Sequence, residues 1–367
     1  MRRILGLIGP ILLVLGSLLF CWFALEIGLR VAGVEHREAR LLCLDPIIGN
    51  VYCAGVEARL DNLYGSTQLV QINSEGMADR EHPRAKPPGT LRIALLGDSV
   101  TASLYLPTEA KFGGLWEKAL SQRLRRPVEV LNFAVDGSAT WDQLQLFHLR
   151  ARHFQPDLVV LGFFWGNDVW NNEQLRDKRR ENPLADEYPE PTAFQRLRIR
   201  QRAFARWLWN HSYAYQFLRG LQDRFRTLLA YRESQQRAAQ AAPAASEPSY
   251  DPGFAWSSPG WVLTRQLLVK LKQEADGVQA PLAVLQLPML PQLQLPKPLP
   301  YAELRAFLAA QGIASLDAFD VLQTLDPEQN EKVYMGDRTH LTREGHRLFA
   351  EATLGPLESL LKRAAAP

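Results

Sequence analysis

The stretch LRIALLGDSVTAS, residues 91–103, decides how the rest of the chain reads. Leu91, Ile93, Ala94, Leu95 and Leu96 form an apolar run closed by Pro88-Gly89 on one side and Gly97 on the other. A run this short is marginal as an isolated helix. Bounded by turn residues, it fits a strand buried on both faces. A glycine at the end of such a strand lets the backbone turn sharply, which lifts Ser99 above the carboxyl edge of the sheet, where open α/β sheets bind ligands. A nucleophile would sit there. Taken alone, Gly97-Asp98-Ser99 is equally good turn chemistry, so its meaning depends on its company along the chain.

From Leu91 onward, strand patterns alternate with helical ones. Val128 to Phe133, Leu158 to Trp165, Pro281 to Leu287 and Ile313 to Leu316 read as further strands. Phe112, Leu115, Trp116, Ala119 and Leu120 recur at helical spacing, as do Leu144, Phe147, His148 and Ala151. Further helices are expected at about 261–272, 301–310 and 342–362. Five strands with intervening helices predict one parallel sheet covered on both faces.

One block, about 171–260, breaks the rhythm. Between Ala193 and Arg237 it holds ten arginines against Asp223 and Glu233, with Phe204, Leu208, Tyr215, Leu218, Phe225 and Leu229 spaced by threes, fours and sevens. This is a basic amphipathic helical insertion. Either the helices pack on the domain with a solvated arginine face, or the arginines face anionic lipid or an acidic polymer. Ala238 to Ser249, rich in Ala, Pro and Ser, reads as a flexible linker.

The 367 residues amount to two domains, or to one with insertions, and a net charge of +3 is too small to imply a nucleic-acid partner. After Met1-Arg2-Arg3, the 21 residues Ile4 to Ala24 carry no charge. At helical rise they match a hydrocarbon core of about 30 Å. They read as a membrane-spanning helix in which Pro10 and Gly16 are tolerated. A cleaved signal peptide is the rival, but its apolar region would be shorter and end in small residues. Here Cys21-Trp22-Phe23 follows instead, and Phe20 is too large for a lipoprotein cleavage site.

Arg2 and Arg3 place the N-terminus in the cytoplasm and the bulk of the chain outside it, although Arg30, Arg37 and Arg40 pull the other way. Cys43 and Cys53, the only cysteines beyond this helix, would then lie in an oxidising space, either bridged or as two separate thiols. The chain thus divides into an anchor at 1–33, an irregular lead-in at 34–90 with turns near 73–76 and 83–88, and a main domain at 91–367 carrying the insertion.

Three clusters follow the Ser99 turn. Asn132 to Gly137, NFAVDG, closes the second strand, where the Gly137 N–H can turn toward Ser99. Gly166-Asn167-Asp168 closes the third, where the Asn167 amide can point to the same spot. Asp337-Arg338-Thr339-His340 precedes the last helix, and an aspartate three residues before a histidine can bend back to fix its tautomer. Each is separately an ordinary turn or cap. Together they divide the labour of acyl transfer between a hydroxyl, an oriented base and donors to an oxyanion.

On these four blocks, GDSVT at 97–101, NFAVDG at 132–137, GND at 166–168 and DRTH at 337–340, the chain resembles the SGNH hydrolases, also called GDSL-type esterases. The resemblance covers roughly residues 90–360. It implies a flavodoxin-like three-layer α/β/α sandwich with Ser99 as nucleophile and His340 as base, oriented by Asp337. The N–H groups of Ser99 and Gly137 and the side chain of Asn167 would form the oxyanion hole, and neither cofactor nor metal is needed. Ala134 departs from the family, which often has glycine there. The anchor and its flanking arginines predict an inner-membrane bacterial protein facing the periplasm or exterior, acting on an acylated small molecule or glycan, and membrane-attached members of the family it resembles are often linked to adding or removing O-acetyl groups on envelope glycans. The expected function is removal of O-acyl groups, most simply acetyl, from an envelope carbohydrate. The alternatives are an O-acyltransferase using the same acyl-serine, or a non-catalytic binding subunit.

Overall fold

The computed structural model describes residues 2–34, 41–45, 47–61, 67–179, 193–222, 255–293 and 300–364. The chain forms two units, one of Met1–Arg40 with Leu197–Pro248, the other of Leu41–Arg196 with Ser249–Pro367. Residues 197–248 of the insertion therefore group with the N-terminal helix, and the Ala238 to Ser249 tract lies outside the described residues.

In the first unit, α1 (Arg2–Val31) contains one stretch, Leu12–Val31, long and apolar enough to cross a membrane. At its far end the Glu26 carboxylate accepts hydrogen bonds from the Ser212 hydroxyl (2.8 Å) and the N–H groups of Ala214 (2.9 Å) and Tyr213 (3.2 Å). Three donors on one carboxylate cap the helical residues 213–222.

The second unit opens with two antiparallel hairpins where sequence suggested an irregular lead-in: β1 (Leu42–Asp45) with β2 (Gly49–Tyr52), and β3 (Glu57–Asp61) with β4 (Thr67–Gln71). These strands are short, and among the described side chains of the second pair only Ala58 and Val70 are buried, so their alternation is faint in sequence. Cys43 and Cys53 are disulfide-bonded, with Cα atoms 5.1 Å apart, which ties the ends of the first hairpin. Closing so short a loop is worth about 3 kcal/mol.

The main sheet is built around β5 (Leu91–Leu96), every residue of which is buried. With β6 (Val128–Asn132), β7 (Leu158–Phe164), β8 (Leu282–Leu287) and β9 (Ala314–Leu316) it forms a fully parallel sheet in the order β6-β5-β7-β8-β9. Side chains alternate across it. Leu91, Ile93, Leu95, Leu158 and Val160 pack with Phe112, Trp116 and Leu120 of α2 (Phe112–Leu124) and Phe349 and Leu357 of the C-terminal Arg343–Ala364 helix. The Trp116 indole N–H donates to Thr353 Oγ1 at 3.0 Å across that helix pair. On the opposite face Phe163 meets Trp261 of the Pro259–Asp276 helix at 5.9 Å between ring centroids. This is the flavodoxin-like arrangement of a parallel sheet between helical layers.

Buried Arg92, on β5, is held by Glu129 at 2.7 Å and by the carbonyls of Pro83, Arg84 and Phe154, which fastens the lead-in to the sheet.

Candidate active site

The site grows from the end of β5. Gly97 sits at φ +157°, and a Cβ there would overlap the Thr101 side chain, so glycine is required. Asp98 then caps the single turn Ser99–Ala102 by accepting the Val100 N–H at 3.0 Å. This fixes Ser99 as the first residue of the turn, half-buried at the sheet's carboxyl edge.

His340 reaches the same point from far along the chain. Its Nε2 lies 2.9 Å from Ser99 Oγ, and its Nδ1 lies 2.6 Å from Asp337 Oδ2. The other Asp337 oxygen accepts the N–H groups of His340 (3.0 Å) and Thr339 (2.9 Å). A carboxylate only accepts, so Nδ1 carries the imidazole hydrogen and Nε2 is left to accept from the Ser99 hydroxyl. Burial would push the Asp337 carboxyl up, but the hydrogen bonds from His340 and Thr339 outweigh it and hold the group below the usual carboxylate range. The turn itself is tight: Arg338 has φ +58°, and Met335 N–H bonds to the His340 carbonyl at 2.7 Å.

Two neighbouring strand ends complete the site. Gly137 follows β6 at φ +71° in a loop pinned to the Gly97 carbonyl by the Val135 N–H (3.0 Å) and the Ser138 hydroxyl (2.8 Å). Asn167 follows β7 and donates one amide hydrogen to Asp98 Oδ2 at 3.4 Å, which leaves the other for a ligand. Among the described residues, neither the Ser99 N–H nor the Gly137 N–H donates to another group. All five residues singled out in the sequence thus belong to the loops at the carboxyl ends of β6, β5 and β7 or to the segment bonded to Ser99.

Two buried acids, Asp98 and Asp168, and the half-buried Asp136 adjoin these residues in the chain. Burial pushes the carboxyl of Asp98 up to about 7 and raises Asp136. Asp168 is driven well above its ordinary value by burial and then by the charge of Asp98. Held toward the neutral form, these groups oppose a developing oxyanion less than full charges would.

Three contributors carried no sequence signal. The Tyr52 hydroxyl donates to Asp136 Oδ1 at 2.6 Å and accepts the Asp136 N–H at 3.2 Å, beside Gly137. Tyr105 sets its ring edge-on to His340, 5.8 Å between centroids, and bonds the Leu341 carbonyl at 3.1 Å. His346 accepts the Phe112 N–H at Nδ1 (3.2 Å), so its Nε2–H donates to Ser103 Oγ (2.9 Å), and burial pushes its pKa down to about 3. Of the aromatics flanking Asn167, Phe163, Phe164 and Trp165 are core, whereas Trp170 is exposed.

A hydroxyl, an imidazole and a carboxylate in hydrogen-bonded series at the edge of a parallel α/β sheet define the class of Ser-His-Asp hydrolases. Residues 93–202 match the family model described as GDSL-like Lipase/Acylhydrolase, a family of ester-bond hydrolases, and this part of the chain is similar to it. That match holds Ser99, Gly137 and Asn167, while Asp337 and His340 lie beyond it and are brought in by the fold. No curated protein matches the chain.

Similar solved structures include TesA (16% identity, 73% of this chain and 99% of that one, TM-score 0.41). The psychrotrophic esterase EstA from Pseudoalteromonas sp. is similar at 11% identity, over 74% of this chain and 98% of that one, TM-score 0.40. The acetyl xylan esterase AlAXEase is similar at 11% identity, over 73% of this chain and all (100%) of that one, TM-score 0.41.

Proposed function

We propose that this chain is a membrane-anchored serine esterase in which Ser99 is the nucleophile, His340 the base and Asp337 its orienting carboxylate. The observation that carries the reading is the series Ser99 Oγ, His340 Nε2, His340 Nδ1 and Asp337 Oδ2, with links of 2.9 and 2.6 Å. Ser99 Oγ attacks the acyl carbonyl as its proton passes to His340 Nε2. The carbonyl oxygen takes the negative charge and is received by the N–H groups of Ser99 and Gly137 and the free amide hydrogen of Asn167. Collapse expels the alcohol, which takes the proton from His340 and leaves an acyl-serine. Water, activated by the same imidazole, then attacks the acyl carbon and releases the acid and the free serine.

The substrate is an O-acylated, most simply O-acetylated, envelope carbohydrate. Exposed Trp170, three residues from Asn167, supports this reading as a flat apolar surface beside the site. The protein resides in the bacterial inner membrane, with α1 as a single span and the catalytic unit in the periplasm. The Cys43–Cys53 bridge supports an oxidising compartment, and Arg2 and Arg3 support a cytoplasmic N-terminus.

The test is labelling with a serine-directed fluorophosphonate, wild type against Ser99→Ala, followed by turnover of acetyl and longer acyl esters. An adduct on Ser99, lost in the variant, together with faster acetyl turnover is expected. Unchanged turnover in Ser99→Ala ends the reading.

A further inference from the structure

The N-terminal unit carries an outward face whose chemistry the esterase reading leaves unused. The helix α3 (Ala193–His211) exposes Leu197 (52%), Phe204 (60%) and Trp207 (54%), and the helical residues beyond it expose Phe217, Leu218 and Leu221. At a helical period, positions 197, 200, 204, 207 and 211 share one side. The rings of Phe204 and Trp207 stack at 6.0 Å and those of Trp207 and His211 at 5.0 Å, which makes a continuous aromatic row. Arg196 and Arg200 are exposed along the same side. A helix packed by its apolar stripe with a solvated arginine face would show the reverse, with its large apolar side chains turned inward.

The position of this face relative to α1 is set by Glu26. That carboxylate lies two residues beyond the charge-free segment Ile4 to Ala24. It caps the chain at Ser212, Tyr213 and Ala214, and Arg30 pairs with it at 2.7 Å while bonding the His211 carbonyl at 3.3 Å. The Arg30 guanidinium also lies 4.8 Å from the Tyr213 ring centroid. The junction between α3 and the next helix is therefore fastened to α1 at the Glu26–Arg30 pair, which follows the charge-free run and lies toward the end of the Leu12–Val31 stretch.

We propose that the outer face of α3, continuing into residues 213–222, rests on the anionic surface of the membrane that α1 crosses. Phe204, Trp207 and Leu197 enter the boundary between headgroups and acyl chains, where indole rings are favoured, and the flanking arginines reach lipid phosphates with their stems along the apolar surface. Six arginines and no acidic residue from Ala193 to Gln222 give the charge complementarity. This rests on α1 being a membrane span, and not on the chemistry at Ser99.

The experiment uses the full chain in vesicles of phosphatidylcholine alone and of phosphatidylcholine with phosphatidylglycerol, read by amide hydrogen exchange over 193–222. The expected result is slower exchange with the anionic lipid. Phe204→Asp with Trp207→Asp should abolish it. Arg196→Gln with Arg200→Gln should weaken the lipid-dependent protection by up to about 30-fold. Hydrolysis of a soluble short-chain ester should be unchanged in both variants. Equal exchange in the two vesicles overturns the proposal, as does protection by dextran sulfate in neutral vesicles, which would assign the arginines to an acidic polymer. Release of the wild type by alkaline carbonate would instead sink the anchor on which it rests, and loss of ester turnover in the wild type would bear only on Ser99.

Discussion

The loop that presents Gly137 is held from outside the sheet, and Tyr52→Phe tests whether that hold matters to catalysis. Tyr52 ends β2 next to disulfide-bonded Cys53 and is 2% exposed. Its hydroxyl makes two hydrogen bonds to Asp136, at 2.6 Å to the carboxyl and 3.2 Å from the N–H, one residue before the proposed oxyanion donor. Burial, and then the Asp136 charge, push the tyrosine hydroxyl well above its ordinary pKa, so it stays a donor throughout the working range. Phenylalanine keeps the ring and removes both bonds, taking the hydroxyl away from a half-buried N–H and carboxyl. A hydrogen bond to a charged group is worth about 1.5–3 kcal/mol. Were all of that lost from transition-state positioning, kcat would fall by about 10- to 150-fold. Burial raises the Asp136 carboxyl toward neutrality, which places the expected loss near the lower end, about tenfold. The assay is kcat and KM on a short-chain ester beside a thermal melt. A positioning residue lowers kcat with little change in KM. Unchanged kcat with a lowered Tm refutes the reasoning and leaves Tyr52 as a packing residue.

Asn167→Ala removes one proposed oxyanion donor and should lower kcat by about 100-fold with the fold intact, read by kinetics and circular dichroism. Asp337→Asn keeps the shape of the turn but no longer demands a hydrogen on His340 Nδ1, so kcat should fall by about three to four orders of magnitude. Its melting temperature should change far less than its rate. His346→Gln should change the pH dependence of stability: measured by denaturant unfolding, the wild-type advantage over the variant grows by up to about 1.4 kcal/mol per pH unit as pH rises from about 3 to 6.5, and a flat difference would sink the assignment of a buried neutral imidazole.

The sheet was legible because each of its strands is an apolar run cut off by turn residues. The sequence ranges 91–96, 128–133, 158–165, 281–287 and 313–316 fall within a residue of the strands observed. The five candidate residues could be singled out for a related reason: three follow strand ends, and His340 brings its aspartate with it at a spacing a single turn can close. Tyr52 was not, since its partner Asp136 lies 84 residues away and pattern within a window carries no such contact. Spacing alone left the cysteines open. The pairing of Leu42 with Tyr52 in the first hairpin sets Cys43 and Cys53 close enough to bridge. Periodicity showed α3 to be amphipathic but not which side faces out, because that depends on Glu26 and the cap it makes with residues distant in sequence.

Two of the buried titratable groups around the Ser99 turn, Asp98 and His346, pull stability in opposite directions with pH. Asp98 has its carboxyl raised by burial from the usual 3.8 to about 7. The folded chain then binds a proton that the unfolded chain has released, so this contribution is full below about 3.8 and is lost as pH climbs to about 7. His346 is depressed from 6.5 to about 3, so the unfolded chain binds the extra proton, and its contribution is full above 6.5 and lost as pH falls toward 3. Each slope is up to about 1.4 kcal/mol per unit and the two windows overlap, so between about 4 and 6.5 they nearly cancel. The cancellation has a catalytic side. An ionised Asp98 carboxylate, which accepts the Asn167 amide at 3.4 Å, would oppose the negative charge developing on an oxyanion received by the same amide and so lower the rate. A carboxyl kept partly neutral at the Ser99 turn lessens that cost while still capping the turn. Asp98→Asn removes the charge and keeps an acceptor for the Val100 N–H. A site limited by that electrostatic penalty therefore predicts that kcat in this variant stops falling as pH rises through about 7, whereas a purely structural cap predicts a parallel loss at every pH.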